Sequence, residues 1–373
     1  GAILMQDSKL VEILKVFSPK EWKDFEKFVN SPYFSTGRDV GGLYSILKKH
    51  HPEFNSENLE KENVFSSLFP GEAFNEKKLK NITSDFTGMA EQFLVNEALA
   101  QNVELSDETL ARVYKDKKSD KLFLKTLNSL EKKLSGRKFQ SDKCYNEEER
   151  LERLFEEYYI GIHKFDKSVP KRIKYTEYVI LTFFVTFLRK QRDKIIIQNY
   201  YNLEFTSPLI ESVYESIDFE KLLKLLKEKK SEWLWLVEIY YYAFKTLQNV
   251  EDEAMFNRFQ ELFYKNIDKF SRKEKYFIFN DFIAWLHTKD NKFGTLSARE
   301  EFEIFKKMLE YNSYSPSEKE FMSVLLYRNI MNMAISLEEY GWFEKFISEY
   351  TSKLKPEFRD NMENLAKANL FFE

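Results

Sequence analysis

The sequence predicts an all-α protein: helical bundle-like N-terminal and middle regions, then stacked helical hairpins. Three observations predict it. Helix-start signals recur along the chain, apolar residues return behind them at three- and four-residue spacing, and only 10 Gly and 8 Pro punctuate 373 residues. An all-β chain needs far more tight turns than so few glycines and prolines can form. The prolines, at 19, 32, 52, 70, 170, 208, 316 and 356, are expected between the periodic segments, where they start or stop helices.

Residues 1–104 read as short helices joined by turns. Ser18, Pro19 and Glu21 spell a capping box with proline at the first helical position, and Trp22, Phe25, Phe28 and Val29 follow at helical spacing. Asn75 opens a longer pattern through Leu79, Ile82, Phe86, Phe93 and Leu94. Residues 105–206 carry longer helices, among them the stripe Leu151, Leu154, Phe155, Tyr158, Tyr159 and Ile162. The run Tyr178–Leu188 has 11 uncharged, mostly apolar residues closed by Lys174 and Arg189. A membrane span needs roughly 20, so a buried core helix is expected there and no membrane span.

From 207 to 373 the pattern becomes successive helix pairs: 231–248 with 251–267, 272–288 with 298–311, and 317–337 with 342–354. Capping-box patterns mark three of the starts, at Ser271 with Glu274, Ser297 with Glu300, and Ser317 with Glu320. A further helix begins after Pro356. Starts at 231, 271, 317 and 357 give intervals of 40, 46 and 40 residues, in the range of helical-hairpin repeats that stack to bury each other's apolar faces.

Within that region, residues 325–356 resemble a tetratricopeptide-type (TPR-like) hairpin. A first helix ends near Tyr340, Gly341 sits in the turn, a second helix carries Trp342, Phe343, Phe346, Ile347 and Tyr350, and Pro356 closes the unit. A shift of 35 residues lays Asn329–Glu338 on Asn364–Glu373, near the family's period of about 34. Bulkier residues replace the small ones usual at the helix crossing, and the upstream pairs are longer. The resemblance implies an α-solenoid scaffold that binds a protein or peptide, and no chemistry. It implies a concave face drawn from the first helices, with Arg328, Asn329 and Asn332 in one unit and Asn361, Asn364 and Lys367 in the next. Asparagine is a weak helix former; amides that donate to and accept from a peptide backbone give several of them a purpose. The apolar ending, Leu365 through Phe372, reads as the first helix of a further hairpin, so the natural chain is expected to run on.

Composition excludes several classes. Apolar residues make up 43% and charged residues 32%, which is globular rather than disordered, and a net charge of −3 exerts no global pull on nucleic acid. Cys144 is the only cysteine; it rules out an intrachain disulfide and fits a reducing, cytoplasmic setting. No glycine spacing fits a phosphate loop. His50 and His51 stand side by side but point about 100° apart on a helix, and His163 and His287 are remote. The carboxylates of 147–157 are expected to be a solvated helix face. The expectation is therefore a non-enzymatic interaction scaffold with no cofactor and no metal.

One stretch favours a different class. Residues 111–140 hold ten Lys and Arg against three acids, a local +7 that includes Arg112, Lys115, Lys117, Lys118, Lys132, Lys133, Arg137 and Lys138. Tyr114, Phe123 and Phe139 interleave, and basic helices with aromatics can track a phosphate backbone. The alternative function is nucleic-acid binding through this segment. Its structural counterpart is a buried stripe of Leu122, Leu127, Leu130 and Leu134 with lysines facing water. Far-ultraviolet circular dichroism of the purified chain should be dominated by helix; a strand-dominated spectrum refutes the predicted class.

Overall fold

The computed structural model describes residues 8–34, 40–54, 59–137, 142–203 and 207–372; of these, the side chains of 142, 143, 200 and 372 are left aside. Among the described residues there are eighteen α-helices and no β-strand, as the sequence predicts. Contacts divide the chain into two compact units, Gly1–Leu127 and Asn128–Glu373. Of the boundaries expected from sequence, 104/105 falls inside the helix Val103–Asp116, and 206/207 adjoins residues outside the described set.

In the first unit, α1 (Lys9–Lys15), α2 (Pro19–Val29), α3 (Gly41–Lys48), α4 (Lys61–Leu68) and α5 (Glu76–Gln101) share one core. The capping box forms as read: Glu21 N donates to Ser18 Oγ and Ser18 N to Glu21 Oε2. Asn75 caps α5 through Lys78 N. The aromatic stripe of α2 meets that of α5, with Phe25 ring centroids 5.4 Å from Phe86 and 5.2 Å from Phe93. The helix α6 (Val103–Asp116) follows, and α7 (Asp120–Ser135) runs across the unit boundary. On α7 the buried stripe is Phe123, Leu127, Leu130 and Leu134; Leu122 faces water instead.

The second unit opens with the hairpin α8 (Asp142–Gly161) and α9 (Phe165–Tyr201), then the short α10 (Pro208–Ser216) and α11 (Phe219–Glu228). Two sequence expectations fail on α9. Pro170 lies inside it, at its sixth position, where the missing N–H forfeits one bond to a carbonyl in the first turn. The run Tyr178–Leu188 is not buried all round: Leu181, Val185 and Leu188 face the core, whereas Val179, Ile180 and Phe183 are exposed. Packing on one side only leaves the other apolar side bare. Among the described residues no helix is long and apolar enough to cross a membrane.

Next come α12 (Leu234–Gln248), α13 (Glu253–Asn266), α14 (Arg272–Phe293), α15 (Ala298–Glu310), α16 (Val324–Ser336), α17 (Tyr340–Tyr350) and α18 (Pro356–Phe372). Packed neighbours are α12 with α13 and α14, α14 with α15, α15 with α16, α16 with α17 and α18, and α17 with α18. First helices start at 234, 272, 324 and 356, so the even spacing read from the sequence is lost. The late start of α16 has a tertiary cause. Ser313, Tyr314, Ser315 and Met322 are buried, Arg272 donates to Ser315 O (3.1 Å) and Oγ (2.7 Å), and Met322 N donates to Lys353 O (2.9 Å). These contacts hold 313–322 off a helical path, and Ser317 Oγ donates to Glu320 instead of capping; Ser323 caps α16 in its place.

α9 is fastened to α12 and α14 by buried charge. Arg189 Nη2 donates to Glu274 Oε2 (2.8 Å) and to Tyr240 Oη (3.0 Å), and Tyr240 Oη donates to the same carboxylate oxygen (2.6 Å). Three residues on, Arg192 Nη1 donates to Asp281 Oδ2 (2.8 Å) and its Nη2 to Asp193 Oδ1 (2.5 Å). Glu274 is 1% and Asp281 4% exposed. The Ser271–Glu274 capping pattern is therefore only half used: Ser271 accepts from Glu274 N, but the carboxylate turns inward to Arg189. Burial pushes Asp281 up to about 6 against the pull of Arg192. Replacing Arg192 by Met should cost about 3–5 kcal/mol in urea unfolding, because an unpaired buried carboxylate remains. The double variant Arg192→Met, Asp281→Leu should recover most of that loss.

Candidate functional site

A cleft of about 540 Å³ opens in the second unit where the end of α7, α8, α9 and the turn before α12 converge. Helical spacing builds its walls. Tyr145, Glu148 and Glu152 share one face of α8, Lys174 and Tyr178 one face of α9, and Trp233 stands at the start of α12. Tyr145 is buried beneath, with Trp233 6.0 Å away at 86° and Tyr178 6.5 Å away at 27°. Tyr178 and Trp233 meet at 6.0 Å and 67°, forming two steeply inclined walls.

Charge fills the rest of the wall. The Glu152 side chain is 2% exposed, with Lys171 Nζ 3.2 Å from Oε2 and Lys174 Nζ 3.9 Å from Oε1. Lys171 also donates to Glu131 at 2.7 Å. Burial would lower the Lys171 ammonium, but Glu131 and Glu152 hold it above its ordinary value. Burial raises the Glu152 carboxyl, with Lys171 opposing. Glu148 is pushed up to about 7, by burial first and by the charge of Glu152 second. Burial raises Tyr178 too, reinforced by Glu148 and Glu152. A carboxyl raised by burial and by a neighbouring carboxylate, set in a cleft, makes this the candidate functional site.

The sequence reading missed this place, because it assigned 147–157 to a solvated face. Glu147, Glu152 and Glu156 are in fact buried, paired with Arg137, Lys171 and Arg172 respectively. The legible signal was complementarity: an acidic run on one arm of a helical hairpin faces Lys171, Arg172 and Lys174 on the other.

The residues expected to bind a partner are all at the surface. Arg328, Asn329 and Asn332 on α16, and Asn361, Asn364 and Lys367 on α18, are exposed. Lys367 pairs with Glu363 (2.5 Å), and among the described residues the four asparagine amides make no side-chain hydrogen bond. Leu325 and Phe371, 70% and 84% exposed, flank them. The two helices are packed together, with Asn369 Nδ2 donating to Met331 Sδ at 3.8 Å.

The basic segment is differently disposed. Arg112, Lys115, Lys117 and Lys118 belong to the first unit, and Lys132, Lys133 and Arg137 to the second; Lys138 and Phe139 lie outside the described residues. Arg112 donates to Glu108 and Arg137 to Glu147. Phe123 is fully buried, so its ring is withdrawn from any base. Of the histidines, His51 Nε2 lies 3.1 Å from Phe17 O, with its ring against Trp22 and Phe54. Among the described residues no group of three or more His, Cys, Asp or Glu side chains is placed to hold a metal ion.

Comparison with protein-family models, with curated proteins and with solved structures found no match to this chain.

The Glu148 carboxyl gives the cleft a pH signature. Its folded value lies above its ordinary one, so the folded state holds a proton that the unfolded chain releases between about pH 4.5 and 7. The stability due to the neutral form is present below that range and is lost as pH rises through it. Melting temperatures recorded from pH 4.5 to 8 should show this decline in the wild type, and Glu148→Gln should remove that component.

Proposed function

We propose that the chain is a non-enzymatic scaffold whose C-terminal helices form TPR-like hairpins and hold an extended protein segment across α16 and α18. One observation carries the reading: six polar residues expected on that face are exposed together on two packed helices, while the opposite sides of those helices are buried. Tyr327, Ile330, Met331 and Ala334 of α16 and Ala366 of α18 form the buried side. The neighbour pattern supports it as well. From α15 onward each helix packs on the one before it, and α18 packs on both members of the preceding pair, which is how a hairpin stack propagates.

An extended segment presents backbone N–H and C=O groups at regular intervals, and an amide side chain answers either. Leu325 and Phe371, both exposed, supply apolar contact at the edges. The nucleic-acid reading is the weaker one, because Arg112 and Arg137 are already paired with carboxylates and Phe123 is buried.

The test uses peptides selected from a random-sequence display library against the wild-type chain. Asn329→Ala with Asn364→Ala should weaken a selected peptide roughly 5- to 150-fold, from two hydrogen bonds of about 0.5–1.5 kcal/mol each. The melting temperature should not change. Wild-type affinity in that double variant, for every selected peptide, refutes the assignment.

A further inference from the structure

We propose that the bare side of α9 is a dimer seam, on which a second copy of this chain lays its own α9 antiparallel. This goes beyond the scaffold reading and does not rest on it.

The seam is first a spacing. Val169, Ile173, Thr176, Ile180, Phe183 and Phe187 follow one another in alternating steps of four and three residues. That alternation keeps side chains in one row along a helix, facing a neighbouring helix. Val169, Ile173, Ile180 and Phe183 are between 43% and 56% exposed, Thr176 is exposed and Phe187 half-buried. The other side of the helix, at Leu181, Val185 and Leu188, faces the core. The row runs about 27 Å, and between Lys174 and Arg189 the helix carries a single charge, Glu177. Thr176 does not interrupt it. Its hydroxyl already donates to Arg172 O at 2.8 Å, so covering it strands no donor. An exposed apolar row of this length marks a surface that another molecule covers.

Size and charge along the row select the occupant. In an antiparallel copy centred level with Tyr178, Val169 lies opposite Phe187 of the second copy, Ile173 opposite Phe183, and Thr176 opposite Ile180. Each layer joins a smaller side chain to a larger one, so the two helices stay evenly spaced. A parallel copy would set phenylalanine on phenylalanine at one end and valine on valine at the other, and the helices would splay.

The ends of the row agree. One further step of three beyond Val169 is Asp166, and one beyond Phe187 is Lys190. Both are exposed, and Lys190 lies 3.1 Å from Asp193 of its own chain. The antiparallel arrangement brings Asp166 opposite Lys190 of the second copy, and twofold symmetry makes the pair twice. In a parallel arrangement each would meet its own kind. Glu177 approaches its own copy only at the wet margin of the seam, where a like charge costs little. A lipid surface or an unrelated helix would account for the bare row but not for this match of its two ends.

The experiment is sedimentation velocity of the full chain from nanomolar to high micromolar concentration. The proposal expects a reversible monomer–dimer equilibrium. Ile180→Glu sets a carboxylate in the middle of the seam and should weaken the dimer roughly a hundredfold, with an unchanged far-ultraviolet circular dichroism spectrum. Asp166→Lys and Lys190→Asp should each weaken it roughly tenfold, because two ion pairs become two like-charge contacts. Combining the two reversals should restore most of the wild-type affinity. If Ile180→Glu does not fold, the three charge variants, all at exposed positions, decide alone. A monomer at every concentration overturns the proposal, whether or not the row then binds lipid vesicles or an amphipathic helix of another protein. A dimer indifferent to Ile180→Glu, single reversals without effect, or a double reversal as weak as the singles overturns it equally.

Discussion

Two guanidinium groups three residues apart on α9 set its placement against α12 and α14. Arg189 and Arg192 are carried into a nearly dry interior, where each meets a carboxylate of α14. Apolar burial is non-directional, and the Phe-rich core of α12, α13 and α14 would tolerate a slide of α9 along it. A buried guanidinium without its carboxylate costs several kcal/mol, and such a slide would strand two at once. Charge thus fixes a register that hydrophobic contact leaves soft.

The consequence reaches the cleft through the rigidity of one helix. α9 carries Tyr178, Lys174 and Lys171 at one end and the two clamping arginines nearer the other, in a continuous run of 37 residues. Holding Arg189 and Arg192 therefore holds Tyr178 against Trp233, and Lys171 against Glu131 and Glu152. The cleft gathers carboxylates at a cost: burial raises both Glu148 and Glu152, the charge of Glu152 raises Glu148 further, and Lys171 opposes the rise at Glu152.

Much of the helical content was legible because it rests on local signals. Ser18 with Glu21 and Asn75 with Lys78 close caps within three residues, and no distant contact is needed to form them. The periodic stripes of α2 and α5 needed only a partner of the same kind, which each found in the other. The six polar residues of α16 and α18, drawn from the resemblance, are exposed. What failed did so where a local signal met a stronger distant one. Ser317 and Glu320 spell a cap, but Arg272 and Lys353 hold the neighbouring chain. Glu274 spells the third position of a capping box, but Arg189 offers a charged partner.

The sequence by itself determined that the chain is helical, where several helices begin, and which faces of α2 and α5 turn inward, because capping and 3.6-residue periodicity act within a turn or two. Only the tertiary structure decided which charges were solvent-facing and which were internal. The run 147–157 and the basic residues flanking Tyr178–Leu188 look alike in sequence, as polar residues on amphipathic helices. Their roles were set by what lay opposite: Lys171 and Arg172 against Glu152 and Glu156, Arg189 and Arg192 against Glu274 and Asp281. The value of a charge depends on its distance from another charge and on the water removed between them. The distances for these pairs, up to 89 positions apart in the chain, exist only in the folded molecule.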